Sequence, residues 1–234
     1  MADIYDNYRV VDSTFDGVDG AVAYTDPIAG AYTFVGTAQL DTAQFKHGVS
    51  SLLLDGNSDC VTVLNSVDWT VGIGDFTYEG WVRVNALQGN DTHQVILGQY
   101  EDGNNYWWVS LYQSGGGLYT PHLFGYLGGV NFNYNVVVTL ISLNTWHHIA
   151  WSRTGTTLYF FLNGVRTTVS TSCNTNFPDL TAPLVIGAEG STPVGRCFNG
   201  WIDKLCIYKG IAKYTQTFTP WIYPLDSTTT WTQV

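Results

Sequence analysis

The chain has 234 residues, and its nine Lys and Arg residues face 19 Asp and Glu residues, which gives a formal net charge of −10 at pH 7. So few basic side chains cannot neutralise a run of phosphates, which excludes a nucleic-acid-binding protein and argues against attraction to an anionic membrane. Only 12% of the residues are charged, whereas 15% are aromatic. A chain of this length can bury enough surface to fold as one domain without a metal or a disulfide.

Targeting and redox signals are weak. Residues 1–6 contain neither the basic nor the apolar region of a signal peptide, and no run of about 18 apolar residues could span a membrane, so we expect synthesis in the cytoplasm without export and no membrane insertion. Cys60 and Cys206 lie in apolar, strand-like runs and are expected to be buried. Cys173 and Cys197 lie in or beside loops and could pair, although free thiols are the default without export.

Short apolar or alternating runs recur along the chain, separated by Gly, Asn, Asp, Ser and Thr. This pattern predicts β-strands at residues 51–54, 60–63, 76–84, 94–99, 106–112, 136–140, 146–153, 157–162, 165–169, 184–188 and 201–208. Because no helical periodicity lies between them, we predict an all-β, two-sheet antiparallel sandwich. Residues 1–12 are expected to form an N-terminal arm, residues 13–224 the domain and residues 225–234 a C-terminal tail.

A series of short motifs runs in order from about residue 13 to 221. The motifs are Phe15-Asp16-Gly17, Tyr24-Thr25-Asp26, Phe45-Lys46-His47-Gly48, Leu52-Leu53-Leu54-Asp55-Gly56, Asp75-Phe76-Thr77-Tyr78-Glu79-Gly80-Trp81-Val82, Asn144-Thr145-Trp146-His147-His148, Phe160-Phe161-Leu162-Asn163-Gly164, Leu184-Val185-Ile186-Gly187 and Phe198-Asn199-Gly200-Trp201-Ile202-Asp203. Together they resemble the laminin-G-like (concanavalin A-like) jelly-roll family, especially versions found in bacteriophage structural proteins. The resemblance implies a concanavalin A-like jelly roll.

The carboxylates do not favour catalysis. Glycanases of this superfamily use two close carboxylates, but this chain has only Glu79, Glu101 and Glu189, and their spacing does not place them on one strand. We therefore expect a protein that is not an enzyme. His147 and His148 are neighbours on a predicted strand and point to opposite faces, so they cannot bind one metal ion together; one is expected to face the core and the other solvent.

A calcium site is implied by the resemblance, since the family often holds a structural calcium ion between an early Asp loop and the Asp of the late Gly-x-Ile-Asp strand. Those positions match Asp16, Asp26 and Asp203, and calcium prefers oxygen ligands of this kind. The alternative is that Asp203 only accepts hydrogen bonds from backbone N–H groups.

The strongest candidate for a binding surface is the run from Asn104 to Tyr112. Alternation places Trp107 and its core-facing neighbours on one side and Tyr106, Trp108 and Tyr112 on the other, where they could stack on sugar rings. Tyr119 and Tyr126 could extend this surface. The competing interpretation, which we prefer here, is a subunit interface or rings buried by a loop of the same chain.

Two functions follow. The resemblance to bacteriophage proteins implies a virion structural or decoration protein, made in the host cytoplasm, displayed on the virion surface as a homo-oligomer and attached to capsid, tail or fibre proteins, with the N-terminal arm as the attachment element. The outward aromatic strand instead indicates a carbohydrate-binding adhesin that recognises host or environmental glycans.

Overall fold

The computed structural model describes residues 4–86, 88–89, 92–113, 119–136, 141–170, 172–192 and 195–220. Within these ranges, no helix has the length and apolarity that a membrane span requires. The described strands, in chain order, are β1 (Arg9–Ser13), β2 (Tyr24–Asp26), β3 (Gly30–Val35), β4 (Gln39–Asp41), β5 (Ser51–Asp55), β6 (Cys60–Val63), β7 (Phe76–Val84), β8 (Thr92–Asp102), β9 (Asn105–Gln113), β10 (Tyr119–Leu127), β11 (Val130–Asn135), β12 (Trp146–Thr154), β13 (Thr157–Leu162), β14 (Val165–Ser170), β15 (Leu184–Ile186) and β16 (Asn199–Lys209).

The strands form two antiparallel sheets of eight strands each, which confirms the predicted sandwich. The first sheet has the order β14-β13-β12-β7-β16-β5-β4, with β1 also paired to β16. The second sheet has the order β11-β10-β9-β8-β15-β6-β3-β2. Tight turns join several neighbouring strands; at the β13–β14 turn, Asn163 and Gly164 both have positive φ, which an Asn-Gly pair adopts readily.

The core lies between the sheets and follows the predicted alternation. On β9, Trp107, Val109 and Leu111 are all buried in the main apolar cluster, as expected. Trp151 of β12 joins them and packs on Phe160 at a ring-centroid distance of 4.6 Å. Each sheet therefore has one inner face that forms the core and one outer face, where the candidate sites lie.

The structure corrects the expectation for one end of the domain, and the other end lies outside the described residues. Residues 9–12, expected in a peripheral arm, belong to β1, and Val11 is fully buried beside β16. The expected C-terminal tail, residues 225–234, lies outside the described residues. The four cysteines are free and buried. Cys197 shares a small cluster with Cys60, whereas Cys173 lies in the main core, so Cys173 and Cys197 do not pair and the default expectation of free thiols holds.

Candidate functional site

The outer face of the second sheet brings together aromatic side chains from three adjacent strands. In the strand register, Tyr100 of β8 lies opposite Tyr106 of β9, and Tyr106 lies opposite Tyr126 of β10. One step along, Trp108 lies opposite Phe124. Cross-strand partners share a face of a sheet, so these rings are neighbours. We call the surface formed by Tyr100, Tyr106, Tyr112, Phe124 and Tyr126 the aromatic face.

Trp108 points to this side of the sheet as predicted, but it is not displayed to solvent. It is only 1% exposed because Tyr106 stacks on it at a centroid distance of 4.5 Å, and Phe124 and the Arg196 guanidinium cover more of its ring. The expectation of an exposed Trp108 is therefore wrong. Trp108 is instead the floor on which the accessible rings pack, so the self-packing interpretation is correct for this residue.

Tyr119 also fails as an accessible ring. It is the first residue of β10 rather than a loop residue, and in the register it lies opposite Gln113, one residue out of step with the aromatic face. Its ring is fully buried in the main core. Its hydroxyl accepts a hydrogen bond from Gln94 Nε2 and donates one to the Ala86 carbonyl oxygen.

The rings that remain accessible form a half-buried surface. Tyr106, Tyr112, Phe124 and Tyr126 are partly exposed, and Tyr100 is 36% exposed. The alternating sequence Asn131-x-Asn133-x-Asn135 on edge strand β11 continues the face with three exposed amides. Sequence reasoning missed Tyr100 and these asparagines, although the alternation of Asn with Phe and Tyr in β11 is the signal that could have identified them.

A glycine makes room for the floor of the face. Gly98 lies opposite Trp108 in the register. A Cβ at this position would collide with the Trp107 carbonyl oxygen and would lie 2.8 Å from Trp108 Cβ. The aromatic face therefore depends on the absence of a side chain at Gly98.

Two buried polar atoms on this side of the sheet are unsatisfied. In the described part of the chain, neither Trp108 Nε1 nor His122 Nδ1 has a hydrogen-bond partner. Burial lowers the pKa of His122 to about 4 and that of His93 to about 3, so both imidazoles are neutral at pH 7. Buried polar groups are nearly always hydrogen-bonded, so these two atoms are exceptions in the described part of the chain.

The outer face of the first sheet carries a separate ionic cluster around Glu79. This carboxylate accepts hydrogen bonds from Lys213 Nζ and the Tyr214 hydroxyl, both at 2.8 Å, and lies 3.3 Å from His148 Nε2. Burial alone would raise the pKa of Glu79, but Lys213 and His148 outweigh it and lower the pKa below its usual range. The cluster ties the segment after β16 to β7, and the sequence patterns did not reveal it.

The adjacent histidines point to opposite faces, as predicted. His148 lies opposite Trp81 on the outer face, whereas His147 lies opposite the core residue Val82 and accepts a hydrogen bond from Ser142 N at 3.2 Å. The expectation that one of them faces solvent is wrong. Both are buried, because Phe218 packs across the His148 ring.

The three expected calcium ligands do not meet at one point. Asp26 is buried, and its two oxygens accept hydrogen bonds from Asp12 N, Ser13 Oγ, Ile28 N and Ala29 N at 2.7–2.9 Å. This carboxylate is satisfied by the protein, so Asp26 does not fit the role of a metal ligand. Among the described residues, no group of three or more His, Cys, Asp or Glu side chains is arranged to hold a metal ion.

Asp203 and Asp16 both contact the loop that follows β4. Asp203 Oδ2 accepts hydrogen bonds from Lys46 N at 2.6 Å and from His47 N at 2.8 Å. Asp16 Oδ1 accepts a hydrogen bond from Val49 N at 2.7 Å. Asp203 is fully buried, and its Oδ1 has no hydrogen-bond partner in the described ranges. Burial raises the pKa of Asp203 to about 7, and the negative charge of Asp16 contributes in the same direction.

With the fold and these surfaces defined, the chain can be compared with known proteins. The family described as the concanavalin A-like lectin/glucanases superfamily matches residues 55–213 of the chain. The chain belongs to this superfamily. The resemblance seen in the sequence is thus confirmed at the level of fold and family. None of the curated proteins is significantly similar to the chain in sequence.

Solved structures of other proteins have a fold similar to that of this chain. Domain 4 of the arabinanase AbnA from Geobacillus stearothermophilus, in complex with arabinotriose, is 20% identical with a TM-score of 0.63, over 86% of this chain and 92% of that one. The binding domain of Paraclostridial Mosquitocidal Protein 1 is 18% identical with a TM-score of 0.65, over 88% of this chain and 50% of that one.

A third structure is that of botulinum neurotoxin type C, whose cell entry depends on interaction with two ganglioside molecules. It is 12% identical with a TM-score of 0.59, over 88% of this chain and 49% of that chain. The chain spans about half the length of the two toxin structures. At these identities the likeness establishes the fold.

Proposed function

We propose that this protein is a non-enzymatic carbohydrate-binding module and that the aromatic face is its binding surface. The observation that carries the proposal is the row of partly exposed rings from three adjacent strands, bordered by the amides of Asn131 and Asn133. Tyrosine offers an apolar ring and a polar tip at low entropic cost, which suits a ligand with both C–H faces and hydroxyl groups.

The comparison with solved structures supports the proposal. Similar jelly rolls also have carbohydrate ligands: the arabinanase domain is seen with arabinotriose, and the type C neurotoxin interacts with gangliosides.

Binding without catalysis agrees with the state of the three glutamates. Glu79 is buried in its ionic cluster, Glu101 accepts a hydrogen bond from Thr181 N at 3.1 Å, and Glu189 pairs with Arg196. Each of these carboxylates is already held by a partner within the protein.

Substitution of the accessible rings tests the proposal. Tyr126→Ala and Tyr100→Ala should each abolish or strongly weaken binding on a glycan array and in titration calorimetry, while the melting temperature stays nearly unchanged. Tyr8→Ala is the matched control, because Tyr8 is 42% exposed and lies outside the aromatic face. If both variants bind the same glycans as the wild type, the aromatic face is not the site.

A place on a virion surface remains our proposal for where the module acts, with homo-oligomers attached to capsid, tail or fibre proteins. It rests on the resemblance of the sequence phrases to bacteriophage versions of the family. Since β1 begins at Arg9, the attachment element is confined to the residues before it, among which Ile4 is 69% exposed. Deletion of residues 1–8 should reduce incorporation into particles without unfolding the domain; undiminished incorporation would contradict this role.

A structural calcium ion also remains a proposal, now with Asp203 and Asp16 as its protein carboxylates. The fit rests on the buried Asp203 Oδ1, which has no hydrogen-bond partner in the described part of the chain. When bound, calcium would supply positive charge between β16 and the loop at residues 46–49. Elemental analysis should find about one calcium per chain, and chelation should lower the melting temperature; no calcium and no change would end the idea.

A further inference from the structure

Basic side chains are distributed unequally between the two sheets. Strands of the first sheet carry six of the nine Lys and Arg residues: Arg9, Arg83, Arg153, Arg166, Lys204 and Lys209. Two more pack on that sheet, since Lys46 lies over the Trp81 ring at 4.6 Å and Lys213 contacts Glu79. The eight strands of the second sheet contain no Lys or Arg.

The remaining basic residue, Arg196, lies at the aromatic face, where its side chain is 42% exposed but already paired. Its guanidinium pairs with the Glu189 carboxylate and lies over the buried Trp108 ring at 5.2 Å. An anionic ligand at this face therefore meets an ion pair with no net charge rather than an unpaired cation.

The charged residues that follow Tyr100 in the chain are acidic. Glu101 and Asp102 follow Tyr100 at the end of β8, and both side chains are exposed. Together with the Glu189–Arg196 pair, which has no net charge, they give this end of the second sheet an excess of formal negative charge. His93 and His122 do not offset it at pH 7, because burial lowers their pKa values to about 3 and about 4.

From this charge distribution we infer that the aromatic face selects uncharged glycans and discriminates against sialylated, sulfated or uronic acid-containing ones. The inference rests on the proposed function and adds the chemical class of the ligand. The row Tyr100–Tyr106–Tyr126 crosses three strands, so it spans about 10 Å between its outer Cα positions. An unbranched neutral segment about as long as a disaccharide would therefore cover the row.

Matched pairs of glycans test the inference. The probes are lacto-N-neotetraose with its sialylated form, and galactotriose with trigalacturonic acid, each measured at low and at physiological salt by titration calorimetry. In every pair that binds, the affinity for the anionic glycan should be about tenfold lower than the affinity for the neutral glycan at low salt, since like charges then face each other. Added salt screens the repulsion, so it should reduce the difference between the two affinities and leave the affinity for the neutral glycan unchanged.

A charge-introducing variant provides the internal control. Asn133→Lys places an ammonium group on the exposed edge of the face and should improve binding of the anionic member by about threefold, the effect of one exposed ion pair. Val165→Lys adds the same charge on β14 of the first sheet, where Val165 is 54% exposed, and should have no effect.

The outcomes separate the two levels of the proposal. Anionic glycans that bind as tightly as their neutral counterparts, or more tightly, would overturn the charge selection while leaving carbohydrate binding intact. If binding is found on a broad array but survives loss of Tyr100 and Tyr126, the site itself is misassigned. If no glycan on that array binds, the proposed function fails, and the inference fails with it.

Discussion

Replacement of Glu79 by Gln is the sharpest test of how the chain segment after β16 is held on the sandwich. Glu79 is 8% exposed and accepts hydrogen bonds from Lys213 and Tyr214 at 2.8 Å. In Glu79→Gln the Lys213 ammonium loses its carboxylate and keeps the Tyr208 hydroxyl as a partner. Breaking a buried ion pair by removal of one member costs about 3 kcal/mol or more of unfolding free energy.

A loss of that size lowers the melting temperature by about 6–12 °C in a domain of this length. Calorimetry and urea unfolding followed by tryptophan fluorescence measure it. Glu101→Gln is the matched control, because its carboxylate is exposed, and we expect a change within about 1 kcal/mol. If Glu79→Gln costs no more than the control, the cluster is not a stabilising element.

The ionisation of Glu79 should make the stability of the fold depend on pH. The folded-state pKa of Glu79 is lowered, because Lys213 and His148 outweigh the effect of burial. A lowered carboxylate pKa stabilises the fold above the unfolded value of about 4.3, and this contribution is lost as the pH falls below it. The wild type should therefore lose stability on acidification more steeply than Glu79→Gln. Equal slopes would contradict the assigned ionisation.

Three further perturbations address the second sheet and the cysteines. Gly98→Ala should destabilise the fold by about 1–3 kcal/mol, because its Cβ would collide with the Trp107 carbonyl, whereas Gly103→Ala meets no atom within 4 Å and should be neutral in urea unfolding. Trp108→Ala should cost about 3–5 kcal/mol as a buried ring, so loss of binding in this variant is no evidence of direct contact. A thiol reagent should react slowly with the native protein, because all four cysteines are buried, and should modify four thiols after unfolding. Modification of only two thiols in the unfolded protein would show that a disulfide is present.

The positions of β5–β9 and β12–β16 and the core side of β9 were predictable, because a half-buried strand alternates apolar and polar residues. β1–β4, β10 and β11 were not predicted, and the strand predicted at 136–140 lies, apart from residue 136, outside the described residues. The burial of Trp108 was not predictable. Alternation assigns a side chain to a face, but it does not show that Tyr106 will lean over it or that Arg196, distant in the chain, will cover it. Outer-face burial depends on side chains from elsewhere, which no local pattern reports.

The expected metal ligands illustrate the same limit. Resemblance could align Asp16, Asp26 and Asp203 with a calcium site, but the competition between a metal ion and backbone N–H groups is decided by loop geometry. Asp26 is saturated by four protein donors, whereas one oxygen of Asp203 is left without a donor in the described structure. The Glu79 cluster has no local sequence pattern, because its members come from β7, β12 and the segment after β16, which are far apart in the sequence.

Carbohydrate binding by the aromatic face is tested most directly by titration of the wild type and Tyr126→Ala with a glycan that an array has identified. We expect saturable binding of an uncharged oligosaccharide to the wild type, loss of that binding in Tyr126→Ala at an unchanged melting temperature, and full binding by Tyr8→Ala. Equal affinities of wild type and Tyr126→Ala for that glycan would contradict the assignment of this face as the binding surface.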